Sequence, residues 1–201
     1  APGHGIGDVK AAANYPATLR PLSAVAEKNR AELRKDEKDR IAYIDVVYLD
    51  ARHDTYIEEV GSSNFFAIMK DGTLVTPRQG SILPGITRDS VMVIARELLG
   101  WRVVERDIAL REVLDDAAEV FFTGTAAVIV PVTHIHYQGV DHEFAAAKTP
   151  ATKAQQLKDR LLAIQTQRED DPFGWVQVIE PAPRSRGNHH APLTTAVPLG
   201  G

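Results

Sequence analysis

The chain has 201 residues, no Cys, and a formal net charge of −4 from 23 Lys and Arg against 27 Asp and Glu. The missing thiols exclude disulfides, thiolate metal sites and cysteine nucleophiles, and the acidic balance argues against a nucleic-acid partner. Hydrophobic residues at 44% and charged residues at 25% are the mix of a globular domain, and no apolar run reaches the ~20 residues of a membrane span. The composition predicts a soluble, cytoplasmic protein: one large domain, or one domain with an appendage.

In chain order, residues 1–14 are Gly-rich and loop-like, and Asn14 is placed to cap a helix with Pro16 in its first turn. Leu22, Val25, Ala26 and Leu33 fall at helical spacing and predict a helix over 15–34. The charged run from Glu32 to Arg40 reads as a solvated helix end or loop. Ala42 to Leu49 is rich in β-branched and aromatic residues and predicts a buried strand. Two short strands follow at 55–60 and 65–70, and Asp71-Gly72 turns the chain into a return strand at 73–76. Thr87 then caps a helix over 88–99, which Gly100 stops.

Further on, the pattern predicts a strand at 103–108, a short helix at 109–117 and an apolar strand at 126–137 interrupted by Pro131. Leu157, Leu161, Leu162 and Ile164 mark a final amphipathic helix within 149–168. From residue 181 the chain is rich in Pro and Gly with little to pack, which predicts a disordered tail over 181–201. The irregular alternation of strands and helices favours an α+β fold over a doubly wound sheet.

Several features bear on chemistry. Lys10 sits among small residues at a loop-to-helix junction, where an ammonium can lose its proton and become nucleophilic, although an ordinary exposed Lys fits as well. Gly85-Ile86-Thr87-Arg88 opens a helix, and free amides there can cradle a phosphate, as many helix starts do without a ligand. Thr123-Gly124-Thr125-Ala126-Ala127 is a second permissive loop. Glu58 and Glu59 are adjacent on a strand, so only one carboxylate can face a pocket and the other is solvated. His134 and His136 share a strand face, either as a metal pair or as two surface histidines. No Gly-x-Ser-x-Gly elbow, Walker loop or dinucleotide fingerprint is present.

Taken in order, these segments resemble the branched-chain amino acid aminotransferases. The resemblance runs through Gly5-Ile6-Gly7-Asp8-Val9-Lys10 with Asn14-Tyr15, then Tyr56-Ile57-Glu58-Glu59-Val60-Gly61-Ser62-Ser63-Asn64. It continues in Leu83-Pro84-Gly85-Ile86-Thr87-Arg88, Phe122-Thr123-Gly124-Thr125-Ala126-Ala127, and the closing Ile164-Gln165-Thr166-Gln167 with Gly174-Trp175. It implies the fold-type IV architecture, pyridoxal 5'-phosphate as cofactor, and transfer of an amino group from Leu, Ile or Val to 2-oxoglutarate.

Carried over residue by residue, Lys10 matches the Schiff-base lysine and Tyr15 the tyrosine on the cofactor's phenolic oxygen. Glu59 matches the acid on the pyridine nitrogen. Ile86 and Thr87 match the phosphate-binding amides, and Thr125 the hydroxyl partner of the phosphate. Ser62 and Ala126 match positions that receive the substrate α-carboxylate. Residues 1–180 would then be the large cofactor-binding domain of a homodimer, with the family's small N-terminal domain absent from this chain or supplied by a separate one. The alternatives are another class IV enzyme, a D-amino acid aminotransferase or an aminodeoxychorismate lyase, or a cofactor-binding module inactive without its small domain. Ala127 and Val130 stand where some relatives carry a Cys-x-x-Cys pair, so that redox switch is absent.

Overall fold

Strand β3, Ser63–Met69, is the strand around which the others are arranged. It pairs antiparallel with β2 (Ile57–Val60), β4 (Leu74–Thr76) and β6 (Ala117–Gly124). Beyond β2 lies β1 (Val47–Leu49), and β6 carries β7 (Val128–Val132) on its far side. Helix α2 (Ile86–Val93) separates β4 from β5 (Val103–Glu105), which joins the sheet parallel to β4. Strands β8 (His134–Tyr137) and β9 (Val140–Glu143) form a separate ribbon. The other helices are α1 (Leu19–Glu32), α3 (Leu110–Asp116) and α4 (Lys153–Gln165). This computed structural model describes residues 5–179, so the tail expected at 181–201 lies outside the described residues.

Strand alternation divides the interior into two cores. Phe65, Ala67 and Met69 point to one side of β3, where they meet Val120, Phe122, Ile108 and Val113. Phe66 and Ile68 point to the other, where α2 and α4 bring Val91, Met92, Leu157 and Leu161. On that side Phe66 stacks on Phe121 of β6, with centroids 5.0 Å apart. Each buried aromatic here contributes roughly 2–3 kcal/mol, so the Phe65-Phe66 and Phe121-Phe122 pairs tie both cores to the same two strands. Helix α4 is capped twice. The Thr152 hydroxyl accepts from the Gln155 amide, and the Glu119 carboxylate of β6 accepts from the Lys153 and Ala154 amides at 2.9 and 3.0 Å.

Mixed helices with a largely antiparallel sheet make the α+β fold that the sequence predicted. Its boundaries differ in places. Asn14 does not cap a helix: its side-chain amide donates to the Ile6 and Val9 carbonyls and braces the preceding loop, while a 3-10 turn runs Ala12–Thr18 into α1. The strand expected over 42–49 shortens to β1, because α1 side chains take its first amides. Glu32 accepts from Ile41 and Asn29 from Tyr43. The helix predicted at 88–99 starts at Ile86 and finishes as a π-turn over Ile94–Leu98, closed by Gly100 at φ +66°. The single strand expected over 126–137 is two strands in different sheets. Strand β6, now the neighbour of β3, and β9 had no predicted counterpart.

Candidate active site

Residues that face α2 from the sheet can be read from the register. Tyr48 lies opposite Glu59, Glu59 opposite Asn64, and Asn64 opposite Thr123. Directly paired residues share a face. A row of polar side chains therefore crosses β1, β2, β3 and β6 on the face that Phe66 and Phe121 share with α2. Val47 and Leu49 point into the opposite core, consistent with Tyr48 turning toward this one.

The loop before α2 is locked onto that row. The Asn64 amide donates to the Leu83 carbonyl at 2.9 Å, and the Ser81 hydroxyl donates to Glu58 at 2.6 Å. Gly85 has to be small, since a Cβ there would sit 2.1 Å from Asn64 Oδ1. It caps α2 without a side-chain bond, so the first amides of the helix point outward without an intrahelical acceptor. Ile86 is 85% exposed and Thr87 half-buried at this end.

Two turns close the same end of the sheet. Gly61-Ser62 links β2 to β3, with Gly61 at φ +54° and a would-be Cβ only 2.2 Å from Asp45 Oδ2. Thr125-Ala126-Ala127 links β6 to β7 and ends at Val128, whose φ of +59° is strained for a β-branched residue. Ser62, Thr125 and Ala126 are exposed on these turns. The structure thus gathers Glu59, Ser62, Ile86, Thr87, Thr125 and Ala126 around Asn64. Lys10 and Tyr15 lie on the N-terminal segment, exposed, and neither side chain forms a hydrogen bond or ion pair among the described residues.

Two of the row's polar atoms are unusual. Thr123, 1% exposed, has its hydroxyl buried without a partner, and so does Tyr48 at its phenol oxygen. A buried hydroxyl left unpaired costs about 1–3 kcal/mol, and both face the side where a ligand at the α2 terminus would lie. Burial pushes the Glu59 carboxyl up to about 7, with the Glu58 charge adding to the rise. The expectation that Glu58 is solvated is corrected. A bulge in the β1–β2 register, where Leu49 pairs with Ile57 and Tyr48 with Glu59, frees Glu58 to accept from Ser81.

The two histidines take acidic partners. His136 pairs with Asp141 beside Lys28, and His134 faces Glu143 at 3.7 Å. Among the described residues no group of three or more His, Asp and Glu is arranged to hold a metal ion. A cavity of about 790 Å³ lies between α1 and the Phe65–Phe122 side of the sheet, and none of the residues matched above lines it. Among the described residues no helix is long and apolar enough to cross a membrane.

The family model described as amino-transferase class IV matches residues 11–135, and the chain belongs to that family. Its relatives include a branched-chain-amino-acid aminotransferase of Haemophilus influenzae, 39% identical over 176 residues, which are 88% of this chain and 49% of that protein. Branched-chain-amino-acid aminotransferase 2, chloroplastic, of Arabidopsis thaliana is 42% identical over 88% of this chain and 41% of its own length. Among solved structures, the branched-chain aminotransferase of Escherichia coli matches with a TM-score of 0.65 at 32% identity, covering 87% of this chain and 52% of that one. The chain spans about half the length of the curated relatives it matches.

Asn64, Thr123 and Ser81 entered no site prediction, although Asn64 and Thr123 stand inside the quoted motifs. Cross-strand pairing reveals Asn64 and Thr123, and the loop before α2 folding back onto Glu58 reveals Ser81, neither of which local spacing encodes.

Proposed function

We propose that this chain is the cofactor-binding domain of a pyridoxal-phosphate-dependent branched-chain amino acid aminotransferase, acting on Leu, Ile or Val with 2-oxoglutarate. The observation that carries the reading is the half-buried Glu59 in a polar row beside the open N-terminus of α2, in a chain of this family. The site suits the cofactor: an anion for the α2 amides, an acid for a ring nitrogen, and the buried Thr123 hydroxyl awaiting a partner.

The Ile86 and Thr87 amides and the Thr125 hydroxyl would hold the phosphate, with the α2 dipole behind them. Glu59, as a carboxylate, would hold the ring nitrogen protonated. When bound, the cofactor supplies an electron sink for charge developing at the substrate Cα. Lys10 would carry the proton to and from that carbon, and Tyr15 would orient the ring from the phenolic side. Ser62 and Ala126, on adjoining turns, would receive the substrate carboxylate. The same reading includes a small domain in cis or as a second chain, and a homodimer that completes the substrate wall and excludes water.

The test is a half-reaction on the chain loaded with pyridoxal phosphate, followed by absorbance. Leu, Ile or Val should convert the cofactor to its amine form, and 2-oxoglutarate should restore it. Conversion by D-alanine in place of Leu would favour a D-amino acid aminotransferase, and no conversion by any amino acid would favour an inactive binding module.

A further inference from the structure

Glu59 has an aromatic neighbour on its own face. Tyr48 stands directly opposite it in the β1–β2 ladder, at a spacing where side chains on paired strands touch. The Tyr48 oxygen is buried and makes no hydrogen bond. A phenol can donate one, and an ionised carboxylate can only accept. Asp45, the other acid acting on Tyr48, already accepts from the Val46 amide at 2.8 Å and is turned to Gly61. Among the described residues Glu59 takes part in no hydrogen bond or ion pair, so it is the available acceptor.

We propose that the Tyr48 hydroxyl, unpaired in this structure, turns to donate to the Glu59 carboxylate and positions it for the cofactor's ring nitrogen. This rests on the reading of Glu59 given above. The physical need is plain. Burial disfavours the charged form of Glu59 and the Glu58 charge pushes the same way, while Asp45 keeps the Tyr48 phenol protonated. A hydroxyl donor counters both by stabilising the carboxylate where it lies. Tyr48 is thus a positioning residue that acts through Glu59.

The first measurement needs no cofactor. In the ligand-free 201-residue chain with ¹³C-labelled carboxyls, Glu59 is identified as the signal lost in Glu59→Gln. Tyr48→Phe should raise its titration midpoint by about one unit or more, the scale of a hydrogen bond to a charged group. Fluorotyrosine at position 48, a stronger donor, should lower it. A midpoint unchanged in both, or a shift of Asp45 instead, overturns the proposal. The second measurement is pyridoxal phosphate affinity in a double-substitution cycle. Tyr48→Phe should weaken binding about tenfold with Glu59 present, the same energy scale, and little in the Glu59→Gln background. Equal weakening in both backgrounds would show that Tyr48 acts independently of Glu59 and would also overturn the proposal. Because the first measurement uses no cofactor, its failure leaves the cofactor reading standing. A shifted midpoint without cofactor binding would instead sink that reading while the Tyr48–Glu59 bond stood.

Discussion

Replacing Glu59 by Gln should slow the leucine half-reaction by about two orders of magnitude or more, the scale of one electrostatic partner in a preorganised site. Gln keeps the shape and loses the charge that holds a ring nitrogen protonated. Glu58→Gln should cost less than about tenfold, because the amide oxygen can still accept from Ser81 and hold the loop before α2. The ligand-free chain offers a second readout. Burial raises Glu59 above its ordinary value of 4.5 to about 7, so the folded chain holds that proton more tightly than the unfolded one. The contribution of this group therefore favours the fold at acid pH and declines as pH rises between those values. Glu59→Gln should remove that part of the slope in urea midpoints measured across the same range. Equal rate losses at positions 58 and 59 would place the wrong carboxylate in the site.

Arg88→Ala should destabilise the fold by about 2–5 kcal/mol, the range for truncating a large buried side chain. Arg88 is fully buried in the first turn of α2, where it donates to the Pro77 carbonyl and to Glu105, each at 2.8 Å. Removing it leaves a cavity and an unpaired carbonyl, and leaves Glu105 with Arg96 alone, 3.6 Å away. The same guanidinium holds Glu105 below the usual carboxylate range, so its share of stability is present at neutral pH and lost as pH falls through that lowered value. Arg88 follows Ile86 and Thr87 directly, so loosening this turn should also weaken phosphate binding. Arg88→Met, which refills the volume, should recover much of the stability. A loss of less than about 1 kcal/mol in the unfolding free energy of Arg88→Ala from urea titration, the value of a surface ion pair, would show that the pair is not structural.

How much of this was legible in the sequence depends on whether a feature is local. Asp71-Gly72 turning β3 into β4, Gly100 ending the π-turn, and the apolar face of α4 follow from neighbouring residues, and they stand where predicted. Residues 117–124 begin Ala-Ala-Glu, which reads as the end of a helix. They become a strand because β3 offers an edge and Phe121 finds Phe66. The bulge that turns Glu58 toward Ser81 is likewise a property of the β1–β2 pairing, invisible along either strand. The motif wording named Glu59, the α2 start and the Thr125 turn, which the strand register brings to one end of the sheet. The buried hydroxyls that accompany them, on Tyr48 and Thr123, emerged only with the register.

The central claim is that this sheet face and the N-terminal segment together hold pyridoxal phosphate through Lys10. Borohydride reduction of the cofactor-loaded chain, followed by peptide mapping, measures it most directly. The account predicts one labelled peptide, carrying the cofactor on Lys10, and no label after Lys10→Ala. Label on another lysine, or none on folded chain saturated with cofactor, would contradict it.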